Sequence, residues 1–323
     1  MVPRFSYIRA VSIDEAVRCL SHDGTRLHAG GTDLLGCLRD RVFDAKTIVS
    51  ISGIKSLRGI HETPDGGLRI GSLTTISDIA RSPVIQTKYP ALSMAAAEVA
   101  SPQLRNQGTI GGNLCQKPRC WYYRGDFNCL RKGGDECFAV HGENPYHCIF
   151  GGENCYIVHP SDTAPALVAL NARVAIAGSK RKRTIAVEKL HMPPALDYTS
   201  ETVLKPDEII TEILLPRPRA GVRSTYRKVR ARRSWDFALA GMATAIEFEG
   251  DHVLDSRVVF SGAAPVPWRS RAVEGVIKGR RLDRNTVTKA SDAGVENVEP
   301  MTQNEYKIPL FRGVIEEELF GFA

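Results

Sequence analysis

None of the eight cysteines forms a C-x-x-C pair, so the paired knuckles of a structural zinc site are absent. Nor is there a run of about 18 apolar residues, which excludes a membrane-spanning helix. Residues 1–20 carry no apolar core and no small-residue cleavage site, so no export signal is expected. The expected compartment is cytoplasmic, with a periplasmic location reached only by co-export with a partner. Neither glycine pair at 30–31 or 111–112 fits G-x-x-x-x-G-K-[ST] or G-x-G-x-x-G, which disfavours a P-loop NTPase and a Rossmann fingerprint. No internal repeat and no low-complexity segment occurs. The net charge of +7 lies in short clusters, Lys180 to Arg183 and Arg227 to Arg233, read as solvated surface or subunit contacts. No aromatic–basic module accompanies them, so nucleic acid is not an expected partner.

What is present is a concentration of sulfur. Cys115, Cys120, Cys129, Cys137, Cys148 and Cys155 fall within 41 residues, while Cys19 and Cys37 lie far upstream. The interval has no sustained period of 2 or 3.6, so it reads as one long loop that something must order. Disulfides would need an oxidising compartment. At 323 residues the chain buries enough core to fold without staples. Clustered cysteines of this kind read first as metal ligands or redox groups, with disulfides second and free thiols third. The gaps of four, eight, seven, ten and six residues suit the corners of an iron–sulfur cluster better than one small ion. With six candidates for four positions, spacing alone leaves the ligand set open.

The rest of the chain alternates strands and helices. Residues 11–20 have helical spacing with Ser12 as N-cap and Glu15 three residues on. Strands are expected at 26–29 and 47–52, making a small β-α-β unit of the first 55 residues. Between them Gly30-Gly31-Thr32-Asp33-Leu34-Leu35 reads as an anion-holding turn or a plain tight turn. A strand at 68–71 and helices at 74–81 and 91–100 precede a second glycine turn, Thr109-Ile110-Gly111-Gly112-Asn113. Two such turns suit a diphosphate gripped from two subdomains. Further on, Asp162 is placed as helix N-cap or ligand contact before a helix at 163–170. A strand at 173–177, a short helix at 184–190 and a strand at 208–215 follow. Pro216 to Arg219 reads as a linker. Strands at 239–248 and 253–260 and a helix at 271–279 make the last hundred residues an α+β unit.

Taken together, AGGTDLL at 29–35, SPQLRNQG followed by TIGGNL at 101–114, HPSDTAPALVAL at 159–170 and GAAPVPWRSRAVEG at 262–275 resemble, in order, the flavin (medium) subunit of the xanthine dehydrogenase and carbon monoxide dehydrogenase family of molybdenum hydroxylases. The resemblance implies an α+β fold: a two-subdomain FAD-binding domain of the vanillyl-alcohol oxidase / PCMH type, with a cysteine-rich insertion, then a C-terminal domain of the CO dehydrogenase flavoprotein type. The implied units are 1–55, 56–220 with the iron–sulfur loop at 115–155, and 221–323. The loop is similar to the insertion of a smaller group, including the flavin subunits of 4-hydroxybenzoyl-CoA reductase and a bacterial aldehyde oxidoreductase, in which it holds an additional 4Fe–4S cluster. On that resemblance Cys120, Cys129, Cys137 and Cys155 are the ligands. Cys148 stands where the related loops have a non-ligand, often Ala, and Cys115 packs beside the flavin turn. The 120–129 stretch is shorter than in the reductase. Gly133-Gly134 and Gly151-Gly152 would offer N–H groups to the cluster, Arg119, Arg124, Arg131 and Lys132 would offset its charge, and Trp121-Tyr122-Tyr123 would shield it.

For the cofactor, the resemblance implies FAD held by Ala29, Gly30, Gly31, Thr32, Asp33, Leu34, Leu35 and Gly36, by Thr109, Ile110, Gly111, Gly112 and Asn113, and by Ser101 and Asp162. Lys228 would lie near the isoalloxazine, a surface position being its alternative. The implied function is an FAD- and 4Fe–4S-carrying electron-transfer subunit of a heterotrimeric molybdenum (or tungsten) hydroxylase. A large subunit would hold the molybdenum cofactor and substrate, a small one two 2Fe–2S clusters, and ferredoxin or NAD would be external electron partners. No catalytic residue is expected on this chain. The competing readings are a stand-alone oxidase of the vanillyl-alcohol oxidase fold and a zinc-stapled nucleic-acid module.

Overall fold

The protein is described over residues 2–323 by a computed structural model. Three sheets follow one another along the chain. The first joins β1 (Ser6–Arg9), β2 (Thr25–His28) and β3 (Thr47–Ser50), all parallel, in the order β1-β3-β2. β3 is central, and its Ile48 and Val49 are buried, as a strand covered on both faces requires. The helix Ile13–Leu20 packs Ala16, Val17 and Leu20 inward. Its start is fixed twice: Ser12 Oγ accepts from Glu15 N–H at 3.2 Å, and the Glu15 carboxylate accepts from Val11 N–H at 2.8 Å. β1 lies outside the strands expected from sequence, because three of its four residues are exposed and show no alternation.

The second sheet is antiparallel, in the order β4-β5-β8-β6-β7: β4 (Ile60–Glu62), β5 (Leu68–Gly71), β6 (Arg173–Ala177), β7 (Lys182–Ala186) and β8 (Ile209–Leu215). Between β5 and β6 the chain makes six helices and the cysteine loop. The helix Thr163–Ala169 is buried along its whole length and forms, with Pro90–Ala97, the centre of the largest core.

The third sheet, order β12-β11-β10-β9, comprises β9 (Val222–Val229), β10 (Ala240–Glu249), β11 (His252–Ser261) and β12 (Trp268–Arg269), all antiparallel. Helices Arg271–Ile277, Arg284–Ala293 and Lys307–Phe320 share its core. β9 is a correction: the first three residues of the basic cluster 227–233 end a strand whose Ser224 and Tyr226 face inward, while Arg232 and Arg233 beyond it are exposed. The last two helices were also unforeseen. One is strongly polar, and the other starts at Tyr306 without a side-chain cap and carries Pro309 and Gly313.

The cysteine loop contains only a four-residue helix, Trp121–Arg124, and a 3₁₀ turn, Leu130–Lys132. Its order comes from docking onto the third sheet. Ile149 N–H donates to Ala263 O at 2.8 Å, Phe150 stacks on Trp268 at 4.8 Å, and Asn304 donates to the carbonyls of His147 and Cys148. Lys307 is fully buried there, and its ammonium donates to His147 O at 2.9 Å and Gly262 O at 2.8 Å. Burial draws its pKa down to about 8.

Candidate functional site

The first glycine turn runs from the end of β2 into the helix Leu34–Arg39. Gly31 has φ of +74°, a conformation side chains resist. Gly30 is needed for a different reason: a Cβ there would lie 1.9 Å from Gln107 O, so only glycine lets the two turns touch. The second stretch is not a loop turn. It is the short helix Ile110–Leu114, with Thr109 Oγ1 accepting from Gly112 N–H at 3.2 Å. Asn113 Oδ1 accepts from Ser161 and Thr163, tying this helix to Thr163–Ala169.

Three cavities with shared walls surround these elements. One, behind the turns, is lined by Ala29 to Leu34, Thr109, Gly111, Gly112 and Cys115. The second, in front of them, is lined by Gly31, Thr32, Asp33, Leu35, Gly36, Thr109, Gly112 and Asn113, and also by Asp162. The third, about 490 Å³, shares Arg119, Asp162 and Phe237 with the second and continues to His159, Leu239 and Cys120. Ser101, Ile110 and Lys228 line none of them. Ser101 caps the helix Pro102–Gln107, and Ile110 is core. A Cβ at Gly36 would meet nothing nearer than 3.9 Å, and one at Gly112 only Thr109 Oγ1 at 3.1 Å. The protein's own packing therefore leaves both positions open toward the cavity, the kind of close backbone approach a phosphate group needs. A connected trough of this size fits a dinucleotide.

Asp162 takes a role not foreseen. It makes no capping bond. Ser161 Oγ caps instead, accepting from Ala164 N–H at 3.0 Å. The Asp162 carboxylate accepts from Tyr226 OH at 2.7 Å and from the Lys228 ammonium at 2.8 Å. Lys228 is thus no surface residue: its side chain is 1% exposed. Burial pushes Asp162 upward, against the lysine and the hydroxyl that hold it down. Residues 231–239 also wall the second and third cavities, with Trp235, Asp236 and Phe237 foremost. The only sequence signal for this wall was an aromatic pair inside a basic run.

The cysteines divide. Cys120, Cys129, Cys137 and Cys155 line one small cavity, whereas Cys115 and Cys148 do not. All eight are free thiols. Cys148 is buried, and Cys115 lines the first cavity, with the two glycine stretches. Upstream Cys37, overlooked in sequence, packs with Cys129 and Tyr123. Burial pushes Cys120 up to about 12 and also raises Cys155, whose upward shift Arg131 opposes. Arg131 Nη1 lies 3.9 Å from Cys155 Sγ. His147 Nε2 lies 3.4 Å from Cys120 Sγ. Among the described residues no three His, Cys, Asp or Glu side chains converge as ligands of a single ion.

Several expected neighbours of the sulfurs lie elsewhere. Arg119 and Arg124 pair with Asp33, and Lys132 donates to Gly125 O. The N–H groups of Gly133 and Gly134 are spent on Leu130 O and Cys129 O. Tyr122 and Tyr123 line the cavity, but Trp121 is half exposed and walls the third of the larger cavities.

Two histidines make the site acid-sensitive. His159 and His191 are buried 4.1 Å apart, ring to ring. Burial lowers His191 to about 4 and His159 well below 6.5. Between pH 6.5 and about 4 the unfolded chain binds protons that the folded chain refuses, so this contribution is present above 6.5 and lost as pH falls. The loss is about 3 kcal/mol for His191 alone. Thermal unfolding should occur at least about 5 °C lower at pH 5 than at pH 7, and substituting both histidines by leucine should flatten that dependence.

Residues 3–218 match the family described as the FAD binding domain in molybdopterin dehydrogenase, and residues 224–317 match the CO dehydrogenase flavoprotein C-terminal domain. The aldehyde oxidoreductase FAD-binding subunit PaoB of Escherichia coli is 34% identical over 91% of this chain and 92% of its own length. The carbon monoxide dehydrogenase medium chain of Hydrogenophaga pseudoflava is 29% identical over 92% of this chain and 88% of its own. A solved structure of the Hydrogenophaga pseudoflava enzyme, in a form lacking the Mo-pyranopterin moiety of its cofactor, superposes with a TM-score of 0.78 at 26% identity, covering 98% of this chain and 96% of that one. These relatives are subunits of oxidoreductases, and no helix among the described residues is long and apolar enough to cross a membrane. With its two glycine turns, trough and C-terminal domain accounted for along nearly its whole length, the chain belongs to the FAD-binding (medium) subunit family of the xanthine dehydrogenase and CO dehydrogenase type of molybdenum hydroxylases.

Proposed function

We propose that this chain is the electron-transfer subunit of a multisubunit molybdenum (or tungsten) hydroxylase, carrying FAD and a 4Fe–4S cluster side by side. In this reading residues 1–55 and 56–220 form the two FAD-binding subdomains, 115–155 the cluster loop and 221–323 the C-terminal domain. The observation that carries it is a shared wall: Cys120, His147 and Ile157 line both the flavin-side cavity and the cavity of the four cysteines. Bound FAD would exchange electrons in pairs or singly, and a cluster would pass them singly. The protein's own part is placement. The turns hold the dinucleotide, the buried Asp162–Lys228 pair sets the charge beside the flavin-side cavity, and Tyr122, Tyr123 and Ile157 cover the sulfurs.

All four cysteines of the cluster assignment line one small cavity, although among the described residues no three His, Cys, Asp or Glu side chains converge on a single ion. Arg131, within reach of Cys155, offsets the cluster's charge. Electrons would come from, or return to, 2Fe–2S clusters of a small partner, while a large partner holds the molybdenum cofactor and substrate. Ferredoxin or NAD would serve as the external partner, in the cytoplasm or, by co-export with a partner chain, in the periplasm. Affinity isolation of the tagged chain, expressed with its neighbouring genes, should bring down a larger molybdenum-containing chain and a smaller 2Fe–2S chain. Recovery of the chain alone, turning over its own substrate, would support the stand-alone oxidase instead.

A further inference from the structure

Asp33 poses a problem that the cofactor assignment alone does not solve. It sits in the first glycine turn, at the cavity where an anionic diphosphate would lie. A free carboxylate there would repel the ligand. It is not free. Arg124 Nη2 donates to Asp33 Oδ1 at 2.7 Å, Arg119 Nη2 stands 3.0 Å from the same oxygen, and Lys117 N–H donates to Oδ2 at 2.7 Å. One carboxylate thus faces two guanidinium groups, so the cluster at Asp33 carries one more cation than anion, while Asp236 also lines the cavity, as do Asp40 beside Arg39 and Asp162 beside Lys228.

Neither cation is used up by this pairing. Arg124 is steadied by donating from Nε to Pro118 O at 2.7 Å, while its Nη1 approaches the open face of Gly36. Arg119 Nε is buried without a hydrogen-bond partner, and its guanidinium lies over the Phe237 ring at 5.3 Å. Burial holds Arg119 below its ordinary value, as expected of a cation short of counter-charge.

We propose that Arg119 and Arg124, both on the cysteine loop, form the cationic half of the diphosphate site, with Asp33 as the positioning residue that orients them. The inference rests on reading the trough as a dinucleotide site. It adds a coupling: Cys120 immediately precedes the helix Trp121–Arg124, so one turn of chain carries both a lining residue of the sulfur cavity and a phosphate contact. The glycine turns supply shape and backbone donors, and the loop supplies charge. Guanidinium forks match phosphate oxygens in pairs, which backbone N–H groups alone cannot do.

The test uses the full chain stripped of flavin, with ADP and riboflavin as separate calorimetric probes for the two ends of the ligand. Arg124→Gln and Arg119→Gln should each weaken ADP about tenfold and flatten its salt dependence, and in Arg124→Gln, whose side chain lies outside the third cavity, riboflavin should bind as in the unsubstituted chain. Arg124→Lys should recover part of the ADP affinity. Unchanged ADP affinity in both glutamine variants would overturn the proposal, as would equal losses for ADP and riboflavin, which would mark a merely structural role. If the unsubstituted chain bound riboflavin but not ADP, the dinucleotide reading beneath it would fall instead.

Discussion

Gly30→Val yields a chain that purifies without flavin and melts well below the parent. Its Cβ would have to occupy a point 1.9 Å from Gln107 O, and that oxygen belongs to the backbone, so no side chain can swing aside. Relief requires the two turns to separate, with the helix Leu34–Arg39 moving away from Ile110–Leu114. Overpacking of well-packed positions costs about 1–3 kcal/mol, and a collision with backbone lies at the upper end. The ligand loses more, because its two grips no longer hold one geometry: FAD affinity should fall by at least about a hundredfold, or roughly 3 kcal/mol. Gly112→Val separates the two effects. Its Cβ enters the open trough and meets only Thr109 Oγ1, so flavin is lost while the melting temperature stays near that of the parent. Flavin absorbance per chain and a thermal melt read both quantities. A Gly30→Val chain that kept its full flavin would mean that the two turns do not form one site.

Much of this was legible in the residues. Ser12 and Glu15 announce their helix because a capping box is a local device, readable without the rest of the fold. In the second and third sheets β5, β6, β8, β10 and β11 show in their apolar patterns, whereas β4, β7, β9 and β12 do not. The glycine turns were legible as turns, but their mutual contact was not, since nothing near Gly30 in sequence indicates that Gln107 lies against it. The same limit hid the pairing of Asp162 with Tyr226 and Lys228, more than 60 residues apart. A lysine in a basic run looks solvated until the strand that carries it is placed. Arg119 and Arg124 were assigned to the sulfurs because sequence proximity to Cys120 was the only available measure. In the fold they turn toward Asp33, 86 and 91 residues upstream.

The second large effect concerns sulfur. Cys120→Ser, Cys129→Ser, Cys137→Ser and Cys155→Ser should each lose most of the iron bound by anaerobically prepared protein, since all four line one cavity and a cluster missing a thiolate is readily shed. Cys148→Ala and Cys115→Ala should keep it. Cys148 is buried outside that cavity, beside Lys307, and its loss should cost stability alone, about 1–2 kcal/mol for a small buried group. Cys115 lines the flavin-side trough instead, so its replacement should alter flavin rather than iron. Iron and acid-labile sulfide per chain, measured across the six variants, should fall into two groups of four and two. Iron retained by all four lining variants would remove the cavity from the account.

Anaerobic reductive titration of the pure, unsubstituted protein, followed by optical and low-temperature EPR spectroscopy, decides whether one chain carries a flavin and a separate inorganic redox centre. Uptake should exceed what the flavin takes by about one electron per chain, together with the EPR signal of a reduced 4Fe–4S cluster that is absent from the Cys129→Ser chain. Uptake fully explained by the flavin, in a sample free of iron, would contradict it.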